Sequence, residues 1–358
     1  MPSNDDDLLA GITELAPLLL TTMEAFEQVQ RNMHPSRLDQ LAAFISPFSG
    51  DLTRAFETFQ NLIFPVHIER FGNHLKETTD LCLKACDGII NSNGDTLTAM
   101  KSMRAHARAQ EKLYPTANIL KPISQYFLEQ PRREEPALLE KLNVDRPGEK
   151  IGILNVENDR TSRGGFSLYV PEYLENSKPT PLVMALHGGT GHGRDFLWFW
   201  LREARSRGFM LLAPTSQHDT WSLMSENLDL PVLLGLVEFI ARDFNLDREH
   251  ILLTGMSDGG TYTLLAGLQH ESPFTHLASF SGVLHPDISL NGNIQHAQDR
   301  DIYLVHGTYD WMFPIETAHM AKAELEAAGA KLTFREIDGL SHTYARTENP
   351  AVLDWFLS

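Results

Sequence analysis

The sequence predicts an all-α segment followed by an α/β domain built on an open, mostly parallel sheet of about eight strands. Three observations carry this. Up to about residue 142, apolar residues recur at helical spacing, with no β-rich run and no internal repeat. After Asp145-Arg146-Pro147-Gly148, short apolar runs alternate with helical stretches, the pattern of parallel strands covered on both faces. The 358 residues, 42% hydrophobic and 22% charged, suffice for two domains with a sizeable core. The expected division is a helical domain over 1–145 and an α/β domain over 146–358.

In the helical part, Leu8, Ile12, Leu15, Leu19, Phe26 and Val29 fall three or four apart, with Thr22 or Met23 at the missing step. Pro17 interrupts this stripe, so a break is expected there, with the longer helix beginning at Pro17 as its first residue. Ser36-Arg37-Leu38-Asp39 resembles a capping box opening a short helix that stops before Pro47. Asp51 caps the next, with Leu52, Phe56, Phe59 and Ile63 on one face and Pro65 as its limit. Residues 66–91 and 95–113 form two longer helices around the turn Asn91-Ser92-Asn93-Gly94, and short pieces follow at 117–129 and 136–142. His34, His67, His74 and His106 have no metal-like spacing and read as solvated or hydrogen-bonded helix residues.

In the α/β part, residues 150–157 and 166–171 read as two strands around the turn Ser162-Arg163-Gly164-Gly165. The alternation then runs: strand 181–186, helix 195–207, strand 209–213, helix 230–243, strand 250–254, helix 258–269. It continues with strands 276–281 and 301–306, helix 315–328, strand 331–337 and a closing helix from about 350. The initial hairpin makes the sheet mixed at one edge.

Lys plus Arg number 30 against 47 Asp plus Glu, a net charge of −17, and both expected domains are acidic. Nucleic acid and anionic membrane need basic surface, so neither is an expected partner. The two cysteines, Cys82 and Cys86, lie four apart on an expected helix, awkward for a disulfide and too few for zinc, and read as small buried apolar side chains. The acidic start Met1-Pro2-Ser3-Asn4-Asp5-Asp6-Asp7 lacks a secretory n-region, and no apolar run approaches the ~20 residues of a membrane span. A cytoplasmic protein without stable membrane insertion is the expectation.

The chemistry concentrates at strand ends. Gly255-Met256-Ser257-Asp258-Gly259 stands directly between an expected strand and an expected helix. On so tight a turn the serine is forced outward above the helix N-terminus, and the two glycines give it room. A serine needs a base oriented by an acid, each following it in a loop at the end of a later strand. The strand Ile302-Tyr303-Leu304-Val305 leads to Asp310, and the strand ending at Ile337 leads to His342. Asp338 sits directly at its strand end and is the weaker choice of acid. His306 precedes Asp310 and reads as a turn residue, while His285 and His296 come too early to be the base. The loop His187-Gly188-Gly189-Thr190-Gly191-His192-Gly193 follows another strand and offers backbone N–H groups to an oxyanion, Gly189 first and Gly188 second, together with Asp258. Its glycines fit neither nucleotide-binding pattern, and His187 and His192 lack the company of a metal site. Trp221, Trp311 and Met256 are the candidate substrate contacts, whereas Trp198, Phe199 and Trp200 read as packing on the sheet.

Four elements in this order, His-Gly-Gly, Gly-Met-Ser-Asp-Gly, His-Gly-Thr-Tyr-Asp and Leu-Ser-His, mark residues from about 150 to 358 as similar to the serine α/β-hydrolases. Within them the chain resembles the phospholipase/carboxylesterase, or dienelactone-hydrolase-like, branch. The resemblance implies the α/β-hydrolase fold, a Ser257–His342–Asp310 triad, an acyl-enzyme, hydrolysis of a small-molecule ester and no metal or organic cofactor. A dienelactone hydrolase proper would carry cysteine where this chain has Ser257. The resemblance implies a carboxylesterase for short-to-medium acyl esters ahead of a thioesterase or lysophospholipase, and ahead of a non-catalytic ligand-binding protein of the same fold. The helical leader has no counterpart in that branch's minimal members. It admits two readings, a homodimerisation element or a cap over the active site, and its apolar stripe over 8–29 favours the first.

Overall fold

A computed structural model describes residues 3–143, 150–224 and 226–358. The chain forms two compact units, Met1–Pro136 and Ala137–Ser358. The division expected between 145 and 146, with its Asp145-Arg146-Pro147-Gly148, lies outside the described residues.

The first unit is helical: α1 (Asp5–Arg31), α2 (Leu38–Phe59), α3 (Glu69–Ile90), α4 (Thr96–Leu113) and α5 (Lys121–Tyr126), with α6 (Pro136–Leu142) beginning at its last residue. Asn4 caps α1 by accepting from the Asp7 N–H at 2.8 Å. Phe26 and Val29 of α1 pack with Leu41 and Ile45 of α2, Cys86 and Ile89 of α3, and Ala99 of α4. Cys82 and Cys86 are free and buried. The hydrogen bond to Cys86, with burial, pushes the Cys82 thiol well above its ordinary value.

Two local expectations fail in this unit for one reason. Pro17 lies inside an unbroken α1, and Pro47 lies inside α2, which runs on through Asp51. Both rings are exposed, while Leu15, Ala16 and Leu19 around one and Ile45 and Leu52 around the other are buried. Burial on both sides of each proline outweighs the ~3 kcal/mol cost of the lost bond and the clash. Ser36 also caps nothing: His34 Nδ1 accepts the Ser36 N–H ahead of a 3-10 turn, and α2 begins without a side-chain cap.

Continuous through Pro17, α1 is long and apolar enough by length and composition to cross a membrane, although it contains no unbroken apolar run of that length. Its buried side, including Leu8, Leu15, Leu19, Met23, Phe26 and Val29, is that of a core helix. The stripe expected to seek a second copy is thus already buried, which removes the sequence argument for a homodimer through these helices.

In the second unit, eight strands of the described residues form one sheet. They are β1 (Gly152–Val156), β2 (Phe166–Val170), β3 (Thr180–Leu186), β4 (Met210–Pro214), β5 (Leu246–Met256), β6 (His276–Phe280), β7 (Asp301–Gly307) and β8 (Lys331–Ile337). Their spatial order is β1-β2-β4-β3-β5-β6-β7-β8. β2 runs antiparallel to both β1 and β4, and every other pair is parallel. The helices are α7 (Gly193–Phe196), α8 (Leu201–Arg207), α9 (Asp229–Asp243), α10 (Asp258–Gly267), α11 (Pro286–Leu290), α12 (Ile315–Ala327) and α13 (Asn349–Phe356). The single helix expected over 195–207 is instead α7, a 3-10 turn and α8. Phe196, Leu197, Trp198 and Trp200 are all buried, and four large side chains in five positions cannot share one face of a regular helix.

The register brings the ends of the central strands level. Leu186 pairs with Gly255, Met256 with Phe280, and Gly307 with Ile337. The loops after β3, β4, β5, β7 and β8 therefore open from the C-terminal edge of one sheet, where α/β folds place their ligands.

Candidate active site

Ser257 sits between β5 and α10 with φ 57° and ψ −120°, a strained conformation for a residue other than glycine. Its neighbours explain why the turn is possible. A Cβ on Gly255 would stand 2.4 Å from the Gly259 carbonyl oxygen, and one on Gly259 would stand 2.5 Å from the carbonyl oxygens of Leu186 and His187. Only glycine lets the elbow close this tightly against the end of β3.

His342, in the loop after β8, has its Nε2 2.9 Å from Ser257 Oγ and its Nδ1 2.8 Å from Asp310 Oδ2. The other oxygen of Asp310, Oδ1, accepts the N–H groups of Met312 at 2.9 Å and Phe313 at 2.8 Å. Burial alone would raise the Asp310 carboxyl. The His342 hydrogen bond and these two N–H groups outweigh it and hold the acid below its usual range. Asp338 instead accepts from the Thr308 hydroxyl at 3.2 Å. His306 hydrogen-bonds the Phe313 carbonyl at 2.8 Å, which closes the Asp310 loop, and burial lowers its pKa.

The loop after β3 is held by its own histidine. His187 Nε2 accepts the Ser216 N–H at 3.1 Å, so the ring proton belongs on Nδ1, 2.7 Å from the Gly188 carbonyl. Among the described residues, the N–H groups of Gly188, Gly189 and Asp258 have no hydrogen-bond acceptor. Gly189 and Asp258 are neighbours: a Cβ on Gly189 would meet Asp258 Oδ2 at 2.6 Å.

The structure divides the candidate substrate contacts. Trp311, beside Asp310, is 46% exposed, and Met256 is half-buried beside Gly188. Trp221 is not a pocket wall. It is buried in the sheet's core, stacks on Tyr262 with centroids 5.5 Å apart, and donates its indole N–H to the His187 carbonyl at 2.7 Å. Among the described residues, no group of three or more His, Cys, Asp or Glu could hold a metal ion.

Sequence reasoning missed Arg163, placed in a hairpin turn. Its guanidinium donates to the carbonyls of Gly191 (2.7 Å), Ser216 (3.2 Å) and His218, tying the β3 loop to the β4 loop. It also missed Asp229, whose buried carboxylate accepts the Gln217 N–H at 2.8 Å and both the N–H and hydroxyl of Ser222 at 2.7 Å. Arg163 reaches 28 to 55 positions along the chain and Asp229 7 to 12, so no helical or strand spacing announces either.

The sheet order, the elbow and the loops at the strand ends are those of the α/β-hydrolase fold. Residues 228–356, which include Ser257, Asp310 and His342, match the family described as phospholipase/carboxylesterase. No curated protein matches the sequence. Among solved structures, it is similar to a thermostable esterase at 20% identity, covering 57% of this chain and 62% of that one, with a TM-score of 0.48. The match thus spans less than two thirds of that esterase. An acetyl xylan esterase from Aspergillus awamori is 16% identical over 57% of this chain and 98% of its own, with a TM-score of 0.48. An S-formylglutathione hydrolase from Agrobacterium tumefaciens is 17% identical over 57% and 93%, with a TM-score of 0.45. At such distances these likenesses add nothing to what the strand order already says.

Proposed function

We propose that this protein is a serine carboxylesterase that hydrolyses small esters of short-to-medium acyl chains through an acyl-enzyme. The observation that carries the reading is the unbroken line from Asp310 through both nitrogens of His342 to the hydroxyl of Ser257, at 2.8 and 2.9 Å. Both contacts lie within the reach that proton transfer needs.

In this reading, Asp310 keeps the His342 proton on Nδ1, so Nε2 is free to take the proton of Ser257 as its oxygen attacks the ester carbonyl. The charge that develops on the carbonyl oxygen is met by the N–H groups of Asp258 and Gly189, with Gly188 as the second choice in the β3 loop. The N-terminus of α10 adds its dipole on the same side. His342 then hands the proton to the departing alcohol. Water enters, gives its proton to His342 and attacks the acyl-enzyme, and the acid leaves as Ser257 regains its proton. Trp311 and Met256 flank this path as substrate contacts.

A thioesterase or lysophospholipase would use the same residues, and acyl preference separates them. The test is hydrolysis of p-nitrophenyl esters from two to twelve carbons, wild type beside Ser257→Ala. A short-chain maximum that vanishes in the variant supports the carboxylesterase. A long-chain maximum favours lysophospholipase or thioesterase. Turnover that survives Ser257→Ala removes the triad mechanism, and no turnover in either protein supports a ligand-binding protein of this fold. A cytoplasmic location belongs to the same proposal, and cell fractionation tests it.

A further inference from the structure

The segment after β4, residues 216–222, contacts both elements that supply the candidate oxyanion donors. Its Ser216 N–H fixes the His187 tautomer at 3.1 Å. Its Asp219 carbonyl accepts the N–H of Thr190 at 2.7 Å, which secures Thr190 in a left-handed conformation with φ 56°. A β-branched residue adopts that conformation only when its surroundings impose it. Its Trp221 indole N–H holds the His187 carbonyl at 2.7 Å, and the two rings lie 4.8 Å apart. Its Thr220 hydroxyl donates to Asp258 Oδ2 at 2.5 Å.

These four contacts reach the two elements that supply the oxyanion donors. Three land on the β3 loop at His187 and Thr190, on either side of Gly188 and Gly189. The fourth lands on the side chain of Asp258, whose backbone N–H is the other donor. The segment is itself fixed: the buried Asp229 carboxylate binds Gln217 and Ser222 near its two ends, and Arg163 binds the Ser216 and His218 carbonyls. Among the described residues, the Asp258 carboxylate accepts no side-chain hydrogen bond except the one from Thr220. That is a small return for a half-buried carboxylate if packing were its whole role.

We infer that residues 216–222 are a clamp that sets the distance between the β3 loop and the elbow, with Thr220 and Trp221 as its positioning residues. Neither side chain needs to touch substrate. Trp221 fixes the height of the β3 loop through His187, and Thr220 fixes the first turn of α10 through Asp258. A loosened clamp leaves the substrate bound as before and weakens only the bonds that strengthen as the carbonyl becomes an oxyanion. The inference rests on the serine-hydrolase reading and adds to it which residues outside the triad set its rate.

The test uses the full chain with Trp221→Phe, Thr220→Val and Thr220→Ser. Trp221→Phe keeps a ring against Tyr262 and loses the N–H, and Thr220→Val keeps the shape and loses the hydroxyl. Removing an oxyanion donor costs ~100–1000-fold in kcat, so a displaced one is expected to cost about 10–100-fold with KM within about twofold. Thr220→Ser, which keeps the hydroxyl, is expected to recover most of the loss. Affinity for an alkyl trifluoromethyl ketone, which forms a tetrahedral adduct on the serine, should fall by the same factor as kcat. Unchanged kcat and ketone affinity in folded Trp221→Phe and Thr220→Val would overturn the clamp, as would a loss confined to thermal stability or to KM. Ser257→Ala tests the underlying reading separately. If wild type hydrolyses no ester, the rate at which an alkyl fluorophosphonate labels Ser257 takes the place of kcat. Equal labelling of wild type and the two variants would then overturn the clamp.

Discussion

Two buried histidines, one in each unit, show what separates a packing residue from a working one. His106 on α4 stacks on Phe26 with centroids 4.9 Å apart, its Nε2 lies 3.1 Å from the Met23 carbonyl, and its Nδ1 faces the Gln110 amide at 3.4 Å. His342 is about as well covered, yet its nitrogens face a carboxylate and a hydroxyl. Neither a carbonyl nor an amide can exchange a proton with the ring near neutral pH, whereas a serine hydroxyl backed by an imidazole–carboxylate pair can. Burial is common to both; what differs is the chemistry of the two partners. The difference follows from architecture. A helix offers a side chain mainly the carbonyls and packed neighbours of other helices, while the level ends of parallel strands bring loops from distant parts of the chain to one edge.

The largest effect that would sharpen this comparison comes from changing a partner while leaving the ring alone. Asp310→Asn keeps acceptors for the Met312 and Phe313 N–H groups but turns an amide N–H toward His342 Nδ1. The imidazole proton must then sit on Nε2, facing Ser257, and His342 acquires the kind of neutral partner that His106 has. The expected loss in kcat is about 10,000-fold with an unchanged fold, read by steady-state kinetics and circular dichroism. A loss below tenfold would mean that the carboxylate does not set the tautomer.

His306 gives a second, smaller effect of opposite character. Burial lowers its pKa below the ordinary 6.5, with Asp310 and the Phe313 carbonyl opposing and His342 and His319 adding to the shift. On acidification the unfolded chain takes up this proton before the folded one. Stability therefore falls as pH drops from 6.5 toward the folded pKa, at up to about 1.4 kcal/mol per pH unit, and the term is constant outside that window. His306→Gln keeps a donor for the Phe313 carbonyl and removes the titration. Urea midpoints measured from pH 7.5 to 4.5 should therefore decline less in the variant than in wild type. Parallel declines would mean that His306 protonates as readily folded as unfolded.

The two units also differ in how far their residues could be read in order. In the α/β unit each strand is short, apolar and ended by a loop, and the chemistry lies within a few residues of those ends. Ser257, Asp310 and His342 therefore stand out by type and position. What stayed hidden there works by bridging separate loops, as when Arg163 reaches Gly191 and His218, 28 and 55 positions away. The direction of a ring is hidden too: Trp221 lies near a strand end like a pocket wall, but its indole points into the core. In the helical unit the unread part is of another kind. Proline rules are local, and they lost at Pro17 and Pro47 to burial contributed by residues on both sides.

That last contrast yields the smallest expected effect. In the α/β unit the prolines at positions 286 and 314 stand at helix starts, where the missing N–H costs nothing. Pro17 and Pro47 leave the carbonyls of Thr13 and Ala43 without their helical donors. Their rings are exposed, so an alanine in either place removes no buried contact. Replacement relieves part of the ~3 kcal/mol interior cost, and it returns up to ~1 kcal/mol of freedom to the unfolded chain. A net gain of about 1 kcal/mol is expected for Pro17→Ala and for Pro47→Ala, seen as a higher thermal midpoint. The gain should be absent for Pro314→Ala, whose ring presets the entry to α12. If Pro17→Ala or Pro47→Ala destabilised the protein instead, the local helix geometry that the proline imposes would be part of how α1 and α2 fit against the unit's core, and the proline would be selected by packing rather than tolerated in spite of it.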